Sequence, residues 1–412
     1  MSSEFDVVIV GAGAAGVGAA RRLAGTSLST LLIEASGRVG GRACTQNIRG
    51  MPLDLGCGWL HSAERNPWTQ IAEASGFEVE RGTPAWREQY HDLGFTPAEQ
   101  EEGEKSWQDW RDRLDTTPFA SDRASDAFPQ DGRWKAYAQS LSGYVNGAAL
   151  EKLSIADYLA YDRAASENNW RLRDGYGALV AASLPASSLR LSTPVTAIDH
   201  GGRVVRIETR GGALSARVVI VTVSTNVLAS GALKFKPALD GKLHAAACLP
   251  LGFANKYFLA VEDGAPFEAE THLLGNARRA ETGSYYLKPF GRPVIECFFG
   301  GPGARALERE GFDAGFAFAQ DELASLFGGG VRASLKALTG MCWGMIDGIG
   351  GAYSHALPGE SRRRAELAAP LDEKIFFAGE ATDAQDFSTA HGAYASGVRA
   401  AEEALAALER VR

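Results

Sequence analysis

The chain reads as an α/β protein, a Rossmann-like and discontinuous dinucleotide-binding domain that carries an inserted α+β substrate domain. Three observations predict this. A Val/Ile-rich strand, Phe5 to Val10, runs directly into Gly11-Ala-Gly13-Ala14-Ala15-Gly16 and a helix of small residues. Apolar runs at 191–198, 204–209 and 216–223 are spaced as strands with turns between them. A last strand, Ile375-Phe-Phe, closes in Gly379-Glu380 and is followed by a long alanine-rich helix.

Taken in order, each piece of the first block has a physical task. A continuous apolar strand is buried on both faces, as parallel strands are. Gly11 permits the tight strand-to-helix turn, Gly13 lets backbone approach a pyrophosphate, and Gly16 lets helix and strand pack closely. Ala14 and Ala15 open the helix, whose N-terminus offers unpaired N–H groups and partial positive charge to phosphates. Leu31, Leu32 and Ile33 form the second strand, which closes at Glu34 and Ala35. Glu34 is 23 residues beyond Gly11, the spacing at which a carboxylate accepts from ribose hydroxyls.

Composition narrows the classes. With 412 residues, 45% hydrophobic and 22% charged, the chain has the length of two domains and an ordinary globular balance. A net charge of −8 argues against nucleic acid as a partner. The five cysteines, Cys44, Cys57, Cys248, Cys297 and Cys342, form no C-x-x-C pair, so neither a zinc site nor a disulfide framework is expected and a cytoplasmic location is. The longest uncharged apolar run, Val7 to Ala20, is too short and too glycine-rich to span a bilayer, and no basic region precedes it.

Just past the second strand stands Gly37-Arg38-Val39-Gly40-Gly41-Arg42, where tandem glycines expose N–H groups and the planar fork of Arg42 suits a phosphate. With this motif in place the sequence resembles the flavin-containing amine oxidase family of monoamine oxidases, polyamine oxidases and histone lysine demethylases. The resemblance implies FAD as cofactor, with the GRxGGR segment at its phosphates. Leu53-Asp-Leu-Gly56-Cys-Gly58-Trp59-Leu-His61 is similar to the family stretch that runs beside the isoalloxazine ring, which places Gly58 and Trp59 there. His61 matches a polyamine oxidase pattern, with a structural histidine as the slightly favoured reading. Val195 matches the position whose backbone meets adenine. Gly379, Glu380, Thr389 and Ala390 fall in a segment similar to the T-V-H-G-A-x-x-S-G form, here Thr389-Ala390-His-Gly-Ala-Tyr-Ala-Ser-Gly397. Ser388 or Thr389 is the expected N-cap of the helix that follows.

The inserted segments are expected to hold the substrate. Residues 80–173 pattern as helices, with Trp86, Trp107, Trp110, Trp134 and Trp170 expected mostly in core, and the acidic run Glu99 to Glu104 as a solvated helix start. Extended stretches at 253–261, 285–288 and 294–299 suggest a sheet that walls the active site. Lys256 lies between Ala254 and Phe258 on one face of the first of these, an unusual place for an ammonium. Leu251-Gly252-x-x-Asn-Lys256 resembles the family's L-G-x-x-x-K, which implies that Lys256 holds a water near flavin N5. Trp343 and Gly351-Ala352-Tyr353-Ser354, before Pro358-Gly359, resemble the last family block and make Tyr353 one wall of an aromatic cage. Where monoamine oxidases carry a flavin-linking cysteine this chain has Ala352, so the FAD is expected to be non-covalent. The second cage tyrosine falls at Thr389.

The resemblance implies oxidation of a neutral amine at its C–N bond to an imine, which hydrolyses to aldehyde or ketone, with O2 as acceptor giving peroxide. Lys256 and Tyr353 are the implied catalytic residues, and His61, Thr389 and Tyr353 the substrate contacts. A flavin desaturase acting on a non-amine and a non-catalytic flavoprotein are the alternatives; the lysine and the cage tyrosine argue against the first, and the intact GxGxxG, Glu34 and Arg42 against the second. The expected division is 1–79, 174–232 and 339–412 for FAD, and 80–173 with 233–338 for substrate.

Overall fold

The computed structural model describes residues 4–129, 132–186, 188–262 and 264–410. An eight-stranded sheet organises the cofactor side. Phe5–Val10 lies at its centre, parallel to Thr30–Ile33 on one side and Gly212–Val221 on the other. Val7, Val8 and Ile9 are completely buried, which is why this strand is apolar without alternation. Ile375–Phe377 joins the sheet parallel to Gly212–Val221. Helices Ala14–Leu23 and Ala390–Arg410 cover one face. They approach so closely that a Cβ on Gly397 would lie 1.9 Å from the Ala15 carbonyl oxygen, so small residues at this contact are a packing requirement.

A second sheet of five antiparallel strands follows the order Thr271–Leu274, Ser284–Leu287, Val294–Gly300, Ala254–Val261, Leu335–Cys342. Its strands alternate with period two. Tyr257, Leu259, Tyr285, Cys297 and Phe299 face helices Gly301–Glu310 and Ala314–Phe327 and are buried. Lys256, Ser284, Tyr286, Glu296 and Phe298 point the other way, into a cavity. A helical layer, Pro97–Thr116, Lys135–Asn146 and Ile155–Ala164, closes that cavity around Trp107, Trp110, Trp134 and Tyr158. The acidic run is more than a solvated start: Glu99 and Thr96 form a capping box, and Glu101 and Glu104 reach the cavity mouth.

Three expectations shift. The run 191–198 is not one strand. Ser188–Arg190 pairs with Thr30–Ile33 at one edge and Val195–Asp199 pairs with Val205–Thr209, with Ser192 at φ 50° and Pro194 breaking the run between them. The boundary at 232 moves, because Lys234–Lys236 is an edge strand of the large sheet and Phe235, Leu239 and Ala246 belong to its core. The boundary at 338 falls inside Leu335–Cys342, a strand of the five-stranded sheet. Among the described residues no helix is long and apolar enough to cross a membrane.

Candidate active site

The two sheets and the helical layer enclose one large cavity of about 2090 Å³. Every cofactor and substrate residue singled out in the sequence lines it, with the exception of Gly16. Gly16 acts from behind: a Cβ there would lie 1.9 Å from the Gly11 carbonyl oxygen. Gly11 itself holds φ 106°, a conformation natural to glycine, and a Cβ would meet the Thr222 hydroxyl at 2.4 Å.

At the dinucleotide end, Gly13 bridges to Gly40, and Gly41 at φ 58° brings its backbone against Gly13. No side chain caps the first helix and no acid lies in its first turn, so its N-terminus opens to the cavity at Gly13, Ala14 and Ala15. That is the donor set a pyrophosphate requires. The two carboxylate oxygens of Glu34 accept from the backbone of Ala12 and Ser36, each at 2.8 Å, and each keeps a lone pair for a ribose hydroxyl. Ala35 and Val195 complete this end. The residues present fit a dinucleotide such as FAD.

Arg42 lines this end of the cavity and is also tied into the protein. Its Nη1 donates to Glu380 Oε1 at 2.8 Å and to the Ala352 carbonyl, so its charge is met within the protein. Glu380 is the hub here: it also accepts from Ser354 N, Ser354 Oγ and Ser388 N. Burial pushes its carboxyl up, and Arg42, the Ser354 hydroxyl and Arg364 more than reverse this, so it is held below the usual carboxylate range. Arg38, read from sequence as one of the loop's two arginines, is a structural cation. It donates to the carbonyls of Gly41 and Ala43 at 2.5 and 3.2 Å and lies 6.0 Å from the Trp343 ring centroid. Trp343 is buried and donates to the Leu55 carbonyl at 3.1 Å. Thr389 is the N-cap of the last helix, accepting from Gly392 N at 3.0 Å, while Ser388 takes φ 64° and bonds the Ser354 carbonyl.

At the far end Trp59 is half-buried, edge-on to Trp86 at 4.5 Å, with Tyr286 at 6.0 Å. The Arg171 guanidinium backs this cluster 5.1 Å from the Trp59 ring. Tyr353 donates its hydroxyl to the Tyr144 carbonyl at 2.5 Å, and burial pushes the phenol well up, so it stays protonated. Tyr144 in turn stands 5.9 Å from Phe298. His61 reaches the cavity, with Nδ1 held by Asn169 at 2.6 Å, and burial lowers it to about 4, which keeps the ring neutral. Lys256 is buried and its Nζ lies 2.9 Å from Glu296 Oε1. Burial pushes the ammonium toward neutrality, and Glu296 with Asp54 behind it more than offset this, holding it above the ordinary lysine range. Sequence reasoning missed Glu296, Asp54, His272 and Ser284. A lone acid in the apolar run Val294-Ile-Glu-Cys-Phe-Phe was the one available signal for Glu296.

Comparison with known proteins decides the family. The flavin containing amine oxidoreductase model matches residues 83–405, and an NAD(P)-binding Rossmann-like domain model matches 9–74. The chain belongs to the flavin containing amine oxidoreductase family. It is therefore an FAD-dependent oxidoreductase that oxidises amines. Polyamine oxidase 2 of Arabidopsis thaliana is 28% identical over 443 residues, covering 98% of this chain and 89% of the relative. Among solved structures, cyclohexylamine oxidase from Brevibacterium oxydans superposes with a TM-score of 0.77 at 20% identity, over 99% of this chain and 100% of that one. Putrescine oxidase bound to putrescine gives 0.75 at 19%, over 98% and 99%. These two likenesses establish the fold.

Proposed function

We propose that this oxidoreductase acts on aliphatic amines that carry no carboxylate, with O2 as acceptor. The observation that carries the reading is the charge of the substrate end. Among the described residues, the cations that the inserted segments bring to the cavity are Arg111 and Lys256. Arg111 is spent on Asp162, at 2.8 and 3.0 Å, and Lys256 on Glu296. Each cation already faces a carboxylate within the chain, Arg111 through Nη2, so an amino-acid carboxylate would compete with that partner. Glu88, Glu101 and Glu104 line the same side, an acidic approach that suits a cationic amine. The polyamine and putrescine oxidases among the similar proteins support this class.

FAD, held non-covalently because Ala352 offers no nucleophile before Tyr353, supplies the two-electron acceptor for a C–N bond going to an imine. The chain's own residues do the rest. Gly11, Gly13, Ala14, Ala15, Glu34, Ala35, Gly41, Val195 and the Arg42–Glu380 pair bind the cofactor. Trp59, Trp86 and Tyr286 exclude water from the amine's path. Tyr353, fixed by Tyr144, orients the amine, and Lys256 holds a water by its N–H donors. We assign FAD to 1–79, 174–232 and 339–412 and substrate to 80–173 and 233–338, with residues 233–249 added to the first part and 339–342 to the second. The five unpaired cysteines support a cytoplasmic location.

The test is anaerobic titration of the holoenzyme with putrescine, spermidine, cyclohexylamine and an amino acid, followed by the visible flavin band. Bleaching by the amines and not by the amino acid is expected. Bleaching by the amino acid alone overturns the substrate class. Lys256→Met should slow flavin reduction or reoxidation by tenfold or more (about 1.4 kcal/mol) with FAD still bound. Unchanged rates in both half-reactions remove the role given to Lys256.

A further inference from the structure

Lys256 raises a chemical problem that amine oxidation makes acute. An amine oxidase releases an aldehyde or ketone, and a neutral lysine beside it would attack that carbonyl, forming Lys–N=C and expelling water. An ammonium has no lone pair and cannot. The enzyme therefore needs Lys256 charged, in a place where burial favours the neutral form.

The five-stranded sheet supplies the means. Lys256 stands opposite Phe298, and Glu296 opposite Phe258, on neighbouring antiparallel strands. The two side chains are diagonal neighbours on the cavity face, close enough for a charged pair. Nζ and Oε1 are 2.9 Å apart, with the side chains 9% and 21% exposed. Among the described residues Lys256 is the one ion-pair partner of Glu296. A Cβ on Gly58 would lie 3.1 Å from Lys256 Nζ and 3.7 Å from Asp54 Oδ2, so the ammonium rests on Gly58 with a second carboxylate behind. Asp54 is already occupied by Thr45 Oγ1, Tyr176 N and Gly177 N, and Glu296 is the carboxylate within ion-pair distance of the ammonium.

We propose that Glu296 is a positioning residue for Lys256, holding it as an ammonium over Gly58 and thereby inert toward the carbonyl product. This rests on the reading of Lys256 as the lysine at the reacting end. The other titratable groups facing Lys256 do not compete for the role. Cys57 is a thiol that burial keeps protonated, and His61 is neutral. The third strand presents Met341, which is uncharged.

The experiment is reductive methylation of the holoenzyme by formaldehyde and cyanoborohydride across pH 7 to 10 (roughly the range below an ordinary lysine's ionisation), with methylation at Lys256 read by peptide mass spectrometry. Only the neutral amine reacts. Glu296→Gln should be methylated at Lys256 about tenfold faster than wild type at the neutral end. The gap should close as pH rises, and Glu296→Asp should restore slow labelling. In wild type alone, Lys256 should become reactive at a higher pH than a free lysine peptide. Equal rates in wild type and Glu296→Gln overturn the proposal. So does a rise by the same factor at every pH, which reports access and not charge. Lys256 reactive in wild type below the peptide's range overturns it as well, and needs no variant to fold. If Lys256→Met leaves both half-reactions unchanged while this labelling pattern holds, the function given to the lysine fails and the charge pair stands.

Discussion

The two ends of the cavity are built from different materials. The dinucleotide end is shaped by main chain: a strand-to-helix turn, tandem glycines and an uncapped helix N-terminus, contributed mostly by one continuous stretch, Phe5 to Arg42. The substrate end is shaped by side chains that meet from distant segments, such as Trp59 against Trp86 and Tyr286, or Lys256 against Glu296. A backbone-shaped site tolerates almost no added atom, because main chain cannot move aside. A side-chain site tolerates substitution in kind and fails when a charge or hydrogen-bond partner is left alone.

The sharpest way to break that contrast is Gly16→Ala. The new methyl would collide with the Gly11 carbonyl, backbone against backbone, so the turn that carries Gly13 must shift. Overpacking of this kind costs about 1–3 kcal/mol or more. We expect protein purified largely without flavin, read as the ratio of visible to ultraviolet absorbance after dialysis. Gly330→Ala is the control: nothing lies within 4 Å of a Cβ there, and flavin content should not change. A Gly16→Ala protein that keeps its flavin would show that the first turn yields as readily as a surface loop.

The second prediction concerns where the two ends are fastened. Arg364 and Asp157 form a bidentate pair at 2.6 and 2.8 Å, 2% and 1% exposed, joining helix Ile155–Ala164 to the segment before the last strand. Arg364 also donates to Ser354 Oγ at 2.9 Å, one residue from Tyr353, and its guanidinium lies 3.5 Å from the Phe387 ring centroid. Arg364→Met leaves Asp157 buried without its partner, and removing one member of a buried pair costs about 3–5 kcal/mol. The urea midpoint should fall accordingly, and KM for the amine should rise as Ser354 and Tyr353 lose their support. The double variant Arg364→Met with Asp157→Leu should recover much of the stability, because replacing both charges removes the orphan. A single variant as stable as wild type would mean that the halves are not fastened there.

What the sequence made legible follows the same division. Phe5–Val10, the glycine turn and the acid at Glu34 were readable because each is a local pattern with a local cause. The face of Lys256 was readable from strand alternation alone. Its partner was not, because Glu296 lies 40 residues on and the cross-strand register that unites them is set by the whole sheet. Arg42 shows the converse. Its motif is plain in the sequence, but its charge is met by Glu380, 338 residues away, and no spacing in a sequence encodes that pairing. The run 191–198 was misread because Ser192 turns left-handed within it, so that 191–194 connect the strand Ser188–Arg190 to Val195–Asp199 across the sheet, and serine carries only a weak turn signal.

The smallest predicted effect tests whether the substrate wall is dry. His272 is buried on the cavity side of the five-stranded sheet, with Nε2 2.7 Å from Ser284 Oγ. Burial pushes it down to about 4, against a hydrogen bond with the backbone of Glu88 that favours the charged ring. The unfolded chain binds this proton near pH 6.5 and the folded one near 4, so folding is disfavoured by protonation. The stabilisation is whole above about pH 6.5 and is lost as pH falls through 4, with a slope of about 1.4 kcal/mol per pH unit for one proton. His61 and His355, also lowered to about 4 by burial, add to the same slope. His272→Gln keeps a hydrogen-bonding amide beside Ser284 and removes the proton. At pH 7.5 (roughly one unit above the unfolded value) its stability should lie within about 1 kcal/mol of wild type. Between the two values its urea midpoint should fall less steeply with decreasing pH, by the contribution of one proton. An unchanged slope would mean that His272 takes up its proton while folded, which requires water at the wall, and the substrate end would then be a wet surface rather than the dry side-chain lining that distinguishes it from the backbone cradle opposite.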